Sequence, residues 1–304
     1  MSASNLPDLY KLWDYGDPAA TAVTFHNILP QAKEAGDAGY IIELLTQIAR
    51  TESLQGNFDS AHTLLDEAEG MMMPDFQIPQ IRIWLERGRT FNSVGERETA
   101  VSLFKQSYEL GRASGEAADF YTIDAAHMLG IAMPTNDEQL KWNLLGLKLA
   151  GETACPREDG GAVTRAQKWR GSLLNNIGWT YHDRENYQQA LTIFEEAHVW
   201  YKENAQDKPE RIRTAKWCVA RTYRSLKQYN DALTLQRELA AEHERLNEPP
   251  DGFVSEEIGE CLLMLKRADE ARPHFSQAYK LLSQMGWIAE ERIMRLKKLG
   301  EDQL

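Results

Sequence analysis

Cysteine is scarce: Cys155, Cys218 and Cys261 are an odd number with no CxxC pair. That excludes a disulfide framework, and reduced thiols in a cytoplasmic protein are the simplest account. No stretch approaches the ~20 apolar residues that a membrane span needs. The opening MSASNLPDLYKLWDYGD lacks a basic region followed by an apolar core, so no signal peptide is expected. Basic residues are in deficit, 34 Lys and Arg against 46 Asp and Glu for a net charge of −12. A chain of that balance is not built to coat phosphates, so neither nucleic acid nor an anionic membrane is expected as a partner. No glycine-rich phosphate loop is present either: Gly160-Gly161 is an isolated pair that follows no strand.

What the chain has is helical periodicity. In SLLNNIGWTYHDRENYQQALTIFEEAHVWYKEN, residues 172–204, Leu174, Ile177, Gly178 and Tyr181 fall on one helical stripe. After a polar turn, Ala190, Ile193, Phe194 and Ala197 repeat the spacing on a second helix. Gly178 and Ala190 are small where two antiparallel helices must cross closely, and Tyr181 and Phe194 fill the space beside them. Such a hairpin cannot bury its apolar faces alone and needs copies of itself.

The copies are there. Ala61, Ala100, Ala190, Ala232 and Ala271 each open a second helix, and twelve residues before them stand Ala49, Gly88, Gly178, Ala220 and Gly259. Leu65, Phe104, Phe194, Gln236 and Phe275 follow at one fixed offset, and Ala68, Ser107, Ala197, Leu239 and Ala278 at the next. This pattern resembles the tetratricopeptide repeat (TPR). The turns recur roughly every 40 residues, longer than the usual ~34 of that family, which is similar to long-helix TPR proteins. The stretches LWDYGDPAA, SLLNNIGWTYHD and WCVARTYRSL resemble a group of uncharacterised bacterial TPR proteins. The resemblance implies an all-α fold: a right-handed α-solenoid of about seven hairpins over residues 1–304. Residues 6–35 read as a degraded N-terminal repeat, 39–285 as the repeats, and 287–300 as a C-terminal capping helix. The pair near 119–151 is irregular, with Ala125, Ala126 and Leu129 lining its first helix. Residues 151–162 form the longest loop, a plain insertion or a flap. Met71, Met72 and Met73 close a helix end.

In the TPR family the first helix of each pair lines a concave groove. Carried over, this places Glu43, Thr46, Arg50 and Ser53 there, then Arg82, Leu85, Arg89 and Asn92, with Ala125 and Leu129 from the irregular pair. Ser172, Asn175, Trp179 and His182 follow, then Thr214, Trp217, Arg221 and Arg224, and last Phe253, Glu256, Glu260 and Leu263. Arginine dominates over acid across most of that lining. Trp179 and Trp217, beside Asn175 and His182, make a polar-aromatic centre. Arg50, Arg89, Asn92, Asn175, Trp179, His182, Trp217, Arg221 and Arg224 are therefore the candidate peptide-binding residues, suited to an extended partner with acidic groups. The competing reading packs the two tryptophans between repeats and pairs the arginines with local glutamates. The Lys/Asn/Arg clamp of chaperone-binding TPR domains is not matched.

Catalytic and metal patterns are weak. His182-Asp183 are adjacent in sequence, which does not aim the carboxylate at the imidazole. Glu256, Glu257 and Glu260 read as a solvated acidic face. His127, His182 and Cys218 fall on first helices ~10 Å apart, so no metal or cofactor is expected. The reading is a non-catalytic adaptor or regulator binding a protein or peptide. A sensor that responds to a ligand or signal peptide is the alternative, and an enzyme centred on His182 ranks third.

Overall fold

The computed structural model describes residues 6–153 and 164–301; Cys155 and most of the 151–162 connection lie outside them. The described residues are helical, without a strand, and none of their helices is long and apolar enough to cross a membrane. The chain falls into two compact units, 1–176 and 177–304. The expectation of one array over 1–304 concerns the relation between them.

The first unit begins with a 3-10 turn at Leu9–Leu12, then α1 (Pro18–Ala35), α2 (Ala38–Leu54), α3 (Phe58–Gly70), α4 (Gln77–Ser93), α5 (Arg97–Ala113), α6 (Asp119–Ala132) and α7 (Asn136–Glu152). The division falls within α8 (Trp169–Asp183). The second unit continues with α9 (Tyr187–Asn204), α10 (Pro209–Ser225), α11 (Tyr229–Arg245), α12 (Gly252–Met264), α13 (Ala268–Leu282) and α14 (Glu290–Gly300). Within each unit helices pair as antiparallel hairpins and hairpins stack on their neighbours, an α-solenoid arrangement. The terminal α14 covers α13 and buries Leu296 completely.

The small residues sit where the pattern put them. A Cβ on Gly88 would stand 2.5 Å from the Phe104 ring, and one on Gly259 would stand 2.9 Å from Phe275; Gly178 meets Phe194 in the same way. All three phenylalanines are fully buried. The glycine is thus the socket and the phenylalanine the knob of each hairpin, a fit that native packing density leaves no room to loosen.

The hairpin turns are also alike. Asn57, Glu96, Asn186, Gln228 and Arg267 donate their amides to the carbonyls of Glu52, Phe91, Tyr181, Tyr223 and Leu262 at 2.9–3.0 Å. This closure needs one residue in the left-handed region. It is Gly56 (φ 82°) and Gly95 (φ 88°) in the first unit, but Glu185 (φ 59°), Lys227 (φ 64°) and Lys266 (φ 60°) in the second.

Two parts of the first unit depart from the pattern. In the irregular pair the small residue is Gly130, met by Asn143 instead of an aromatic ring; Asn143 Nδ2 donates to the Gly130 carbonyl at 3.0 Å. Gly130 sets the register, so Ala125 and Leu129 are fully buried core, and Asp124 and His127 take the inner positions expected of them. At the N-terminus, Asp17 caps α1 as its sequence indicates, its Oδ1 accepting from Ala20 N at 2.9 Å. The residues before it form only the 3-10 turn and lie against α2, α4 and α6, contacts that a repeat helix pairing with α1 would not make.

Candidate functional site

In the first unit the inner positions form a ladder of charges. Arg82 Nη1 lies 2.7 Å from Glu43 and donates to Tyr121 Oη at 2.6 Å. Arg50 Nη1 reaches Glu86 at 3.2 Å, Arg89 Nη1 reaches the same carboxylate at 2.7 Å, and Arg89 Nη2 pairs with Asp124. Glu86 and Asp124 are less than a tenth exposed. These acids escaped the sequence reading for a simple reason: Glu86 stands one position along the helix from buried Leu85, and Asp124 needed the register of Gly130. Thr46 and Leu85, expected in the lining, are buried. Asn92 is partly exposed near the end of α4 and Asn175 partly exposed on α8.

His127 of α6 feels the charges of two of these arginines, Arg89 and Arg50. Its ring lies 4.8 Å from that of Trp169, and its buried Nδ1 meets no hydrogen-bond partner among the described residues. Burial first, then the charges of Arg89 and Arg50, push its pKa down to about 3, so it is neutral.

In the second unit the rings run in a row. Trp179 lies 6.1 Å from Trp217, Trp217 lies 6.4 Å from Phe253, and Phe253 stacks at 5.9 Å on Trp287, which is 73% exposed. Trp217 and Phe253 line a cavity of about 400 Å³ with Leu239, Val254, Thr214 and Arg213. Trp217 Nε1 is buried and meets no acceptor among the described residues.

Beside the rings, Arg221 Nε (3.0 Å) and Arg224 Nε (2.6 Å) share the carboxylate of Glu257. Arg221 Nη1 donates to Ser225 Oγ at 2.8 Å, and His182 Nε2 lies 2.9 Å from the same oxygen. Burial, then Arg221, lowers the pKa of His182. From the terminal helix, Arg292 bonds Glu256 and Arg295 bonds Glu260. Glu256, Glu257 and Glu260 are therefore not the solvated face their sequence indicated: each is under a tenth exposed and held by arginine. The thiols of Cys218 and Cys261 are buried and pushed up to about 12, which leaves them protonated and unreactive.

The structure thus brings Trp179, His182, Trp217, Arg221 and Arg224 into one patch, and Arg50 and Arg89 onto one carboxylate. Trp287 was missed because it precedes the last helix, outside any repeat position.

Residues 171–203 and 218–251 match the tetratricopeptide repeat. No curated protein matches the chain. Among solved structures, the chain resembles the APC/C hetero-tetramer Cut9–Hcn1 (17% identity, TM-score 0.58, 95% of this chain and 48% of that one). It also resembles a STAND-family ATPase with a tetratricopeptide repeat sensor from Pyrococcus horikoshii (15% identity, TM-score 0.70, 94% of this chain and 41% of that one). A third is the quorum sensor NprR from B. thuringiensis in its apo form (12% identity, TM-score 0.60, 93% of this chain and 81% of that one). The chain spans less than half the length of the first two. The repeated socket-and-knob hairpins, the two matched segments and these folds agree: the chain carries tetratricopeptide repeats and has their helical fold.

Proposed function

We propose that the chain is a non-catalytic, cytoplasmic adaptor that binds an extended protein segment on the inner face of its second unit. The observation that supports this is the row Trp179, Trp217, Phe253 and Trp287 beside the shared Arg221–Glu257–Arg224 cluster. Two guanidiniums on one carboxylate leave a net positive charge on α10, the helix whose Trp217 lines the cavity. An aromatic or aliphatic side chain fits that cavity and can bring an acceptor to Trp217 Nε1. An acidic group further along the segment meets the arginines. Arg50, Arg89, Asn92 and Asn175 lie in the first unit and are no part of this site; their reading as peptide-binding residues is a separate proposal.

The test is binding of an array of acidic, aromatic-bearing peptides to the wild-type chain and to Trp217→Ala and Arg224→Ala. Trp217→Ala should weaken the best binders at least ~10-fold, as loss of an aromatic anchor does. Arg224→Ala should flatten the salt dependence. Peptides held equally well by all three proteins would sink the reading.

One observation favours a sensor. Phe253 stacks on Trp287, and the helix that follows Trp287 grips Glu256 and Glu260 of α12. A ligand in the cavity would bias the seating of α14. Peptide-dependent protection of residues 290–300 in hydrogen exchange is the expected result, and unchanged protection would leave only the adaptor.

A further inference from the structure

Residues 6–16 are the part of the chain that the repeat pattern does not use. They carry leucine at 6, 9 and 12, tyrosine at 10 and tryptophan at 13, and they cross the inner positions of three successive hairpins of the first unit. Tyr40 Oη on α2 donates to the Pro7 carbonyl at 2.8 Å. Trp13 Nε1 donates to Gln47 Oε1 on α2 at 2.8 Å, with its ring against Phe25 and Tyr15. Leu9 is buried in the core cluster of α2 and α3. Tyr10 reaches furthest: its ring meets Phe120 of α6 edge-on at 5.5 Å, and the Arg165 guanidinium carbon lies 3.2 Å from its centroid. Arg82 of α4 lies 5.7 Å from the same ring.

A peptide bound to this face would make the same kinds of contact: backbone carbonyl to tyrosine, indole to amide, an aromatic ring on an arginine. The fit has one gap. Arg82 is 3% exposed, yet its Nε and Nη2 meet no hydrogen-bond partner among the described residues. The resident segment therefore leaves two buried donors unmet, and a segment bringing an acceptor to them gains a contact that residues 6–16 do not offer.

We propose that the inner face of the first unit is a second peptide-binding surface, held closed by the chain's own residues 6–16. The partner it fits is an extended segment of like chemistry, Leu-aromatic-x-Leu-aromatic with a carboxylate near the first ring. The closing contact is autoinhibitory: the tethered segment competes at high effective concentration with any partner in solution. This surface is independent of the Trp217 site, and neither its success nor its failure bears on that reading.

The probe is a fluorescein-labelled synthetic peptide of residues 6–16. It is titrated into the full chain and into the full chain carrying Tyr10→Ala and Trp13→Ala, with circular dichroism confirming that both are folded. The released variant should bind the peptide about 10-fold or more tighter than wild type, since the tether no longer competes. The peptide carrying Tyr10→Ala should fail. A folded variant that ignores the peptide, or equal binding by both proteins, overturns the proposal. A concentration-dependent dimer in place of peptide capture overturns it in favour of exchange between copies.

Should the double variant not fold, a protease site placed at exposed Gly16 in the otherwise wild-type chain replaces it. After cleavage, excess peptide should exchange with the severed segment. Retention of the segment under competition would show that it is a fixed part of the core and refute the idea.

Discussion

The two units carry the same charge arithmetic on their inner faces and do different things with it. In the first, Arg50, Arg82, Arg89 and Arg165 accompany Glu43, Glu86 and Asp124. In the second, Arg221, Arg224, Arg292 and Arg295 accompany Glu256, Glu257 and Glu260. In the first set Tyr10 of the N-terminal segment lies on Arg82 and Arg165, and Arg82 and Arg89 are a tenth exposed or less, while the Arg50 side chain keeps 23% of its surface. In the second, the arginine side chains keep a fifth to a half of their surface. The composition of a repeat face therefore does not decide whether it is a core or a binding surface. What lies over it does.

The sharpest way to break this comparison is to remove one acid from each set. Asp124→Ala leaves buried Arg89 with Glu86 as its one remaining acid, and since breaking a buried pair outright costs about 3–5 kcal/mol, a loss of about 3 kcal/mol is expected. Glu257→Ala frees two arginines that water can reach, and it should cost about 1.5–3 kcal/mol, as truncating a hydrogen bond to charged groups does. Urea unfolding of both variants measures the difference. Equal losses would show that the two faces are buried alike.

Gly178→Ala tests whether socket and knob hold the second unit as they hold the first. The added methyl meets the Phe194 ring, and overpacking of that kind costs about 1–3 kcal/mol. Gly88→Ala against Phe104 should lose a similar amount, and a Gly178→Ala protein as stable as wild type would refute the argument.

A pH titration separates the units by their histidines. The native pKa of His127 is near 3 against an ordinary value of 6.5, so the unfolded chain binds a proton that the native one refuses. Stability contributed by neutral His127 is full above about pH 6.5 and drains as pH falls toward 3. Between pH 6.5 and 4.5 the loss is roughly 2 kcal/mol. His127→Gln should flatten that part of the stability curve. His182 is lowered in the same sense but half buried, so His182→Gln should flatten it less. The reverse order would assign the drier face to the second unit.

The repeats were legible because one physical demand, close helix crossing, recurs with a fixed spacing and leaves a small residue each time. Gly88–Phe104 and Gly178–Phe194 could be read for that reason. Gly130–Asn143 could not: a polar side chain fills the socket, so the register slipped and Asp124 and His127 went unrecognised. The face was half legible. Its arginines show in a count of lining positions, but Glu86 and Glu257 sit next to those positions and turn in beside them. The repeat spacing marks neither residues 6–16 nor Trp287, because each is placed by what it touches and not by where it stands in a repeat.

The smallest expected effect concerns the turns. The first unit closes its hairpins with Gly56 and Gly95 in the left-handed region, whereas the second forces Glu185, Lys227 and Lys266 into it. A side chain there crowds the following carbonyl at a cost of about 1–2 kcal/mol. Glycine removes the crowding but loses roughly 0.5–1 kcal/mol of chain entropy on folding. Lys227 is exposed and takes part in the backbone closure, its amide donating to the Arg224 carbonyl at 2.9 Å. Lys227→Gly should therefore stabilise the second unit by about 0.5 kcal/mol, the difference between those opposing terms, while Gly95→Lys destabilises the first by a comparable or larger amount. If thermal melts show both substitutions to be neutral, the turns carry no strain and the difference between the units lies wholly on their inner faces.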